Sequence, residues 1–430
     1  MARLLYTLTI MLLLPWALLH LLWRSHKQPE YLRHWGERFG YYRRSGFSPT
    51  SQAKARPTIW IHAVSVGETR AAQPLVAELA VRYPQHLILF THMTPTGRAT
   101  SEEVFGINVS RVYLPYDTPW AVARFLKHFR PAIGLIMETE IWPNLVAACR
   151  LQNIPLLLVN ARLSERSARR YAALPSLTRG ALAQLAAVAA QGEEDAKRLM
   201  ELGARDVVVT GNMKFDITPP GEQLSLGGGL RAQWTQLGMR PVLLAASTRA
   251  GEEALILAAL AAQPVRDLLL VIVPRHPQRF AEVAALAATQ GFKVQRRSSI
   301  EPVLPETTVL IGDSMGEMFA YYAACDVAFI GGSLQDFGSQ NLIEACAVGV
   351  PLLIGPSTFN FTAAARQAIA CGAAQQVADA TELVSAAAAL LKDIEARTAM
   401  GAAGRAFAAR HRGATSRTLD LVAPFVGLPP

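Results

Sequence analysis

The sequence predicts an α/β protein: two doubly wound, Rossmann-like domains behind an apolar N-terminal helix. Three observations predict it. From Pro57 onward, short β-branched runs alternate with turns and with longer alanine- and leucine-rich segments of helical spacing, the pattern of strand, crossover helix and parallel strand. The 430 residues exceed what one hydrophobic core usually supports, and a hydrophobic content of 51% supplies material for two. A proline- and glycine-rich stretch, 218–229, interrupts the pattern midway, as interdomain linkers do.

Taken in order, the first element is the run from Leu4 to Trp23, interrupted by Thr7, Thr9 and His20 and about as long as the ~20 residues a helix needs to cross a bilayer. Trp23-Arg24-Ser25-His26-Lys27 offers no small-residue cleavage site, so 1–24 reads as an uncleaved, single-pass membrane anchor. Arg24, Lys27, Arg33, Arg38, Arg43 and Arg44 follow the run while Arg3 alone precedes it, which places the bulk of the chain on the cytoplasmic side. The basic segment 25–56, with Tyr31, Trp35, Phe39, Tyr41 and Tyr42, suits a position along phospholipid headgroups.

Strands are expected at 58–63, 87–91, 132–137, 155–160 and 206–210, and again at 241–246, 268–273, 307–311, 327–330 and 351–354. They divide the chain into a first domain, 57–216, a linker, 217–237, and a second domain, 238–430. The net charge of +9 suits anionic partners such as phospholipid or phosphorylated glycolipid. Nucleic acid is not expected, because the basic residues gather after the anchor and at strand ends rather than in a run with interleaved aromatics. The four cysteines contain no CxxC pair, which fits free thiols in a reducing compartment.

Ligands of doubly wound sheets bind beyond the carboxyl ends of the strands, so the polar residues following each strand carry the functional reading. After the first strand, His62-Ala63-Val64-Ser65-Val66-Gly67-Glu68 puts Glu68 in the first turn of a helix, where the helix dipole is expected to keep it ionised and able to take a proton from a hydroxyl. A first-turn glutamate that only stabilises its helix is the plainer alternative. Glu138 and Glu140, beside Trp142-Pro143, look like hydroxyl or sugar ligands; Arg162, Arg166 and Lys214 could meet a phosphate or carboxylate.

In the second half, Ser247 and Arg249 follow one strand and Pro274, Arg275 and His276 another, with Arg275 able to pair bidentately with a phosphate. Gly316, Glu317 and Met318 follow a third. The stretch Gly331 to Ala345 is a glycine-rich turn between strand and helix, whose backbone N–H groups could cradle a phosphate while Glu344 accepts from a ribose. No HExxH, DxD or Cys/His ligand cluster appears, so no metal or cofactor is expected.

The blocks HAVSVGE, METEIWPN, NARLSERS, GNMKFD, STRAGEE, PRHPQRF, GDSMGEM, GGS, NLIEA and GPSTFNF stand in the order found in 3-deoxy-D-manno-octulosonic acid (Kdo) transferases, and the chain resembles that family over essentially its whole length. The resemblance implies a GT-B glycosyltransferase, two Rossmann-like domains facing a central cleft. It implies transfer of Kdo from CMP-Kdo to the tetraacyl lipid A precursor at the cytoplasmic face of the inner membrane, in lipopolysaccharide biosynthesis. By the same resemblance Glu68 matches the general base, and Pro274, Arg275, Gly316, Glu317, Met318, Asn341, Leu342, Ile343 and Glu344 match CMP-binding segments. Many relatives carry GGHN where this chain has Gly338-Ser339-Gln340-Asn341, so a cationic histidine is replaced by neutral Gln340. Another GT-B nucleotide-sugar transferase, a UDP-sugar epimerase and an inactive nucleotide-binding scaffold are the competing readings.

Overall fold

The computed structural model describes residues 1–26, 28–42, 56–235, 240–299 and 301–427; Lys27, Arg43 and Arg44 of the expected basic segment lie outside them. The chain forms two compact units, one made of Met1–Asp216 with Arg412–Pro430 and the other of Ile217–His411.

Unit 1 is built on seven parallel strands, β1 (Thr58–His62), β2 (Leu87–His92), β3 (Ser110–Tyr113), β4 (Pro131–Met137), β5 (Leu156–Ala161), β6 (Ala187–Ala190) and β7 (Val207–Val209), in the order β3-β2-β1-β4-β5-β6-β7. The strands read as unbroken apolar runs because both faces are covered. Alternate residues serve opposite cores: Ile59, Ile61, Phe90, Leu135 and Val159 on one face, Trp60, Leu89, Ile136 and Leu158 on the other. Gly134 on β4 is required by Trp60 on β1, since a Cβ there would stand 2.7 Å from the indole. The strand order reverses between β1 and β4, so the crevice at their carboxyl ends is where a ligand site belongs.

Unit 2 repeats the plan with β8 (Val242–Thr248), β9 (Leu269–Pro274), β10 (Val294–Arg296), β11 (Val309–Ile311), β12 (Val327–Ile330), β13 (Leu352–Ile354) and β14 (Ala374–Gln376), in the order β10-β11-β9-β8-β12-β13-β14. Its order reverses between β8 and β12.

All ten expected strands form within two residues of their expected bounds, the largest differences being the late start of Val309–Ile311 and the extension of Val242–Thr248. Four more, β3, β6, β10 and β14, lack a β-branched run; β6 is Ala-Val-Ala-Ala, a composition that favours helix when read locally.

The domain boundaries need two corrections. The stretch expected as a linker is a helix, Gly221–Trp234, that belongs to unit 2: Leu230 and Trp234 are buried. Its Gly227 touches the helix Met318–Ala324 so closely that a Cβ would lie 2.5 Å from that of Ala323, so this glycine serves close packing rather than flexibility. The chain end leaves the expected second domain: the helix Ala414–Val426 packs Leu419, Val422 and Val426 into a core of unit 1. Asp216 clasps it there, accepting from the N–H groups of Gly413 (2.6 Å) and Thr415 (2.5 Å).

The N-terminal helix, Ala2–Ser25, is the one described helix long and apolar enough to cross a membrane. Tyr6 donates to Asp117 Oδ2 (2.9 Å) and Thr7 to Asn144 Oδ1 (3.0 Å), which pins its start to unit 1. Arg38, expected to face headgroups, is instead buried, its guanidinium 4.2 Å above the Tyr113 ring and donating to the Met93 carbonyl.

Removing the clasp strands two backbone N–H groups. Asp216→Ala should cost about 1–3 kcal/mol and raise hydrogen exchange at Gly413–Thr415 before the rest of unit 1. An unchanged calorimetric midpoint and exchange rate would show that the terminal helix is held by its apolar face alone.

Candidate active site

Each strand end presents polar groups, and the two units arrange them differently. In unit 1, β1 ends at His62 and the chain turns into the short helix Val66–Ala71. Ser65 is its N-cap: the hydroxyl accepts from the Glu68 N–H (3.2 Å) and donates to Glu68 Oε1 (2.7 Å), while Oε2 accepts from the Val64 N–H (2.8 Å). This resembles a capping box, with the N3 carboxylate reaching the N–H one residue before the N-cap instead of that of the N-cap itself. It leaves Glu68 only 9% exposed.

Burial, and secondarily the charge of Glu138, push the Glu68 carboxyl up to about 7, against the pull of the Val64 and Ser65 hydrogen bonds. The expectation that the helix N-terminus would keep it ionised is therefore corrected: desolvation and a neighbouring carboxylate outweigh the dipole of so short a helix. The result is a proton acceptor matched to neutral pH.

Glu138 follows β4 in a left-handed conformation, φ 56°, and pairs with Lys214 Nζ at 3.3 Å. Glu140 is pushed up by burial and by Glu138. Lys214 is delivered by the turn Met213–Asp216, whose Met213 N–H donates to Asn160 Oδ1 (3.0 Å) at the end of β5. Glu68, Glu138, Glu140 and Lys214 thus form one electrostatically coupled group at the β1–β4–β5 edge. Arg162 bears on Asp195 while its carbonyl accepts from the Thr139 hydroxyl between the two acids, and Arg166 is exposed on the helix Glu165–Ala172.

Two polar groups at this edge were not singled out from the sequence. His62, which donates or accepts at Thr91 Oγ1 (2.8 Å), is brought by burial down to about 4 and is neutral; its Nε2 and the Asn160 Nδ2 are buried without a hydrogen-bond partner. The signal was their place at strand ends, in the same stretches that carry Glu68 and Arg162.

In unit 2 the glycine-rich turn does not offer its first N–H groups to a ligand. Glu252, wholly buried, accepts from the N–H groups of Gly332 (2.6 Å), Ser333 (3.0 Å), Leu334 (3.0 Å) and Arg249 (2.8 Å). Glu253, also buried, holds Arg279 bidentately at 2.6 and 3.1 Å and accepts from Thr248 (2.7 Å). The STRAGEE acids are therefore internal braces for the turn after β12 and the loop after β9.

What faces outward is cationic. Arg249 lies 4.7 Å over the Phe337 ring and donates to His276 Nε2 at 2.7 Å. Burial, then Arg249, Arg275 and Arg279, lower the His276 pKa, so it is neutral and can accept. Pro274 ends β9 buried, and Arg275 after it is exposed. Ser247, at φ 55°, sits 3.9 Å from the Met318 sulfur. Gly316, at φ 81°, is exposed, and Glu317 accepts from Ser314 (2.5 Å). Asn341 donates to Glu344 (3.0 Å) and accepts from the Ile343 N–H (3.1 Å). Leu342 and Ile343 are buried, so only their backbone can reach a ligand. These residues follow the carboxyl ends of β8, β9, β11 and β12, the sheet edge at which the strand order reverses.

Residues 33–217 match the family model described as 3-deoxy-D-manno-octulosonic-acid transferase (kdotransferase). The chain is 48% identical over 381 residues to a 3-deoxy-D-manno-octulosonic acid transferase of Bordetella pertussis, covering 86% of this chain and 87% of the other. It is 39% identical over 433 residues to that of Haemophilus influenzae, covering 99% of each. The crystal structure of Anabaena Alr3699/HepE in complex with UDP covers 86% of this chain and all of its own at a TM-score of 0.60; at 14% identity the likeness shows the fold, of the GT-B class.

Two outcomes are expected from the acids. Because folding raises the Glu68 pKa from 4.5 to about 7, the folded state binds more protons and the group costs stability as pH rises between those values. Glu68→Gln should thus gain thermal stability relative to wild type on going from pH 5 to pH 8; a pH-independent difference would mean that Glu68 ionises normally. Glu252→Ala leaves four N–H groups without their acceptor and should destabilise by more than the ~1–3 kcal/mol of one lost partner, with the largest loss of exchange protection at 332–334. Unaltered protection there would dismiss the bracing role.

Proposed function

The chain belongs to the 3-deoxy-D-manno-octulosonic acid transferases, glycosyltransferases of lipopolysaccharide biosynthesis, and from that membership we propose that it moves Kdo from CMP-Kdo to the 6′-hydroxyl of the tetraacyl lipid A precursor, inverting the anomeric centre. The observation that carries the mechanism is Glu68: a buried carboxylate held by Val64 and Ser65, with its pKa about 7, beside two further acids at the switch point of unit 1.

In this reading the ionised Glu68 takes the proton of the acceptor hydroxyl as its oxygen attacks the anomeric carbon of Kdo. The bond from that carbon to the phosphate oxygen breaks, and CMP leaves with the electron pair as its phosphate dianion. Unit 2 supplies the donor site. Arg275 and Arg249 are its available cations for the leaving phosphate, and Gly316, Glu317, Asn341 and Glu344 its backbone and side-chain partners for the nucleoside. Charge for the departing group thus comes from guanidinium groups, and the reaction is proposed to run without a metal or cofactor. Lys214, paired with Glu138 at this edge, is proposed to orient the Kdo carboxylate. Glu138 and Glu140 then hold acceptor hydroxyls and keep the Glu68 pKa high. The work is proposed to take place at the cytoplasmic face of the inner membrane, with the apolar N-terminal helix as the attachment.

The test is single-turnover transfer from CMP-Kdo generated in situ to the tetraacyl precursor, read by product mass. Wild type should transfer, with a rate that rises with pH through about 7 and then levels as Glu68 ionises. Glu68→Gln should lose about 10²–10⁴-fold in rate while still binding CMP, and should lose the pH step. An inactive wild type would overturn the substrate pair; an active Glu68→Gln would leave the transfer standing and remove Glu68 as its base.

A further inference from the structure

The N-terminal helix has the length and apolarity of a membrane crossing, but its contacts fit another placement. Its first turns are held against unit 1, by Tyr6 on Asp117 and Thr7 on Asn144. Its last turn does not lead away from unit 1 either. The Gln28 N–H donates to the Arg24 carbonyl, Arg24 lies 4.7 Å over the Tyr31 ring, and Leu21 and Tyr31 are buried where the chain folds back through the 3₁₀ turns Pro29–Leu32 and Trp35–Phe39. The second turn ends at the same spot where the helix began. The Tyr116 N–H donates to the Arg38 carbonyl (2.8 Å), the Phe39 and Tyr116 rings meet at 5.7 Å, and the next residue is the Asp117 that Tyr6 reaches.

That closure decides between placements. If the helix crossed a hydrocarbon layer of ~30 Å with Tyr6 on the catalytic side, the chain from Gln28 to Arg38 would have to recross it as irregular backbone. Lipid-exposed irregular backbone is not tolerated at that depth, and this stretch also carries Glu30, Arg33 and Glu37. Both ends of the helix therefore lie on one side.

Burial along the helix agrees. Thr7 and Leu21 are buried and Ile10, Leu14 and Leu18 partly covered, all on one face. On the other face Leu4, Leu8, Leu12, Trp16, Leu19 and Trp23 are exposed, at helical spacing of three and four. Exposed Arg3 and Arg24 stand at the two ends of the helix and exposed Arg33 in the segment that folds back from it, and Arg124, stacked on Tyr41 and Trp120, joins a cation to two rings of the kind found at headgroup level.

We propose that the helix lies in the plane of the bilayer, its apolar stripe sunk into one leaflet and the arginines at its two ends on anionic phospholipid headgroups, with both helix ends on the catalytic side. The attachment is also one step from the acids of unit 1. The same Asp117 that holds Tyr6 accepts from the N–H groups of Asn144 (2.9 Å) and Leu145 (2.8 Å), opening the helix that follows Glu138 and Glu140.

The full-length protein, in a Cys371→Ser background that removes the exposed thiol, can be reconstituted in phosphatidylethanolamine–phosphatidylglycerol vesicles with a spin label on Leu12→Cys. An in-plane helix puts the label about 5–10 Å below the headgroups, whereas a crossing puts this midpoint near the bilayer centre, ~15 Å deep. Ala2→Cys and His26→Cys, probed with an impermeant maleimide in sealed vesicles, should react from the same face. A central depth, or reaction from opposite faces, overturns the proposal, and equal binding to neutral phosphatidylcholine vesicles overturns the anionic headgroup assignment.

Discussion

A carboxylate taken out of water costs several kcal/mol unless N–H groups surround it, and the strand-end loops of both units are built around that constraint. Glu252 is the fullest case. Three consecutive N–H groups of the turn after β12 and one from the turn after β8 converge on it, so two loops distant in sequence become one rigid corner. Asp117 does the same for the start of the helix Pro143–Leu151, and Asp216 for the terminal helix. Parallel sheets covered on both faces have few places where backbone polar groups can be exposed, which concentrates these arrangements at the carboxyl edges, where the chemistry is.

The two edges then diverge in sign. In unit 2 the acids are turned inward and neutralised, Glu252 by backbone and Glu253 by Arg279, and what remains at the surface is Arg249 and Arg275 with a neutral His276 between their charges. In unit 1 the acids stay at the edge: Glu138 pairs with Lys214, and burial first, then the charge of Glu138, raises proton affinity at Glu68 and Glu140. One edge suits an anion and the other a proton.

That difference also marks what the sequence could disclose. Runs such as Thr58–His62 and Leu269–Pro274 announce strands because β-branched and apolar residues fit a sheet buried on both faces, and the residues after them could be picked as candidates from position alone. The Ala187–Ala190 strand could not, since only its neighbours make alanine extended. Nor could the partner of Glu252, far along the chain, so a turn whose N–H groups are already engaged read as a free phosphate cradle. The terminal helix was assigned to the wrong domain for the same reason: its apolar face is plain, but nothing local says which core it enters. The sign of the Glu68 shift was missed because the dipole of its own helix is a local signal, whereas desolvation and Glu138 are not.

At Glu68 a helix cap and a raised pKa meet in one carboxylate. Its two oxygens are fixed by the Val64 N–H and the Ser65 hydroxyl at the start of its helix, and those same bonds stabilise the ionised form. Burial and Glu138 act in the opposite direction and are larger. Without the cap the carboxyl would titrate higher and hold its proton at neutral pH; without the burial and its acidic neighbour it would ionise in the usual carboxylate range and be a weak base. The capping bonds thus limit the shift and fix the direction of the carboxylate, so that cap and raised pKa belong to one arrangement.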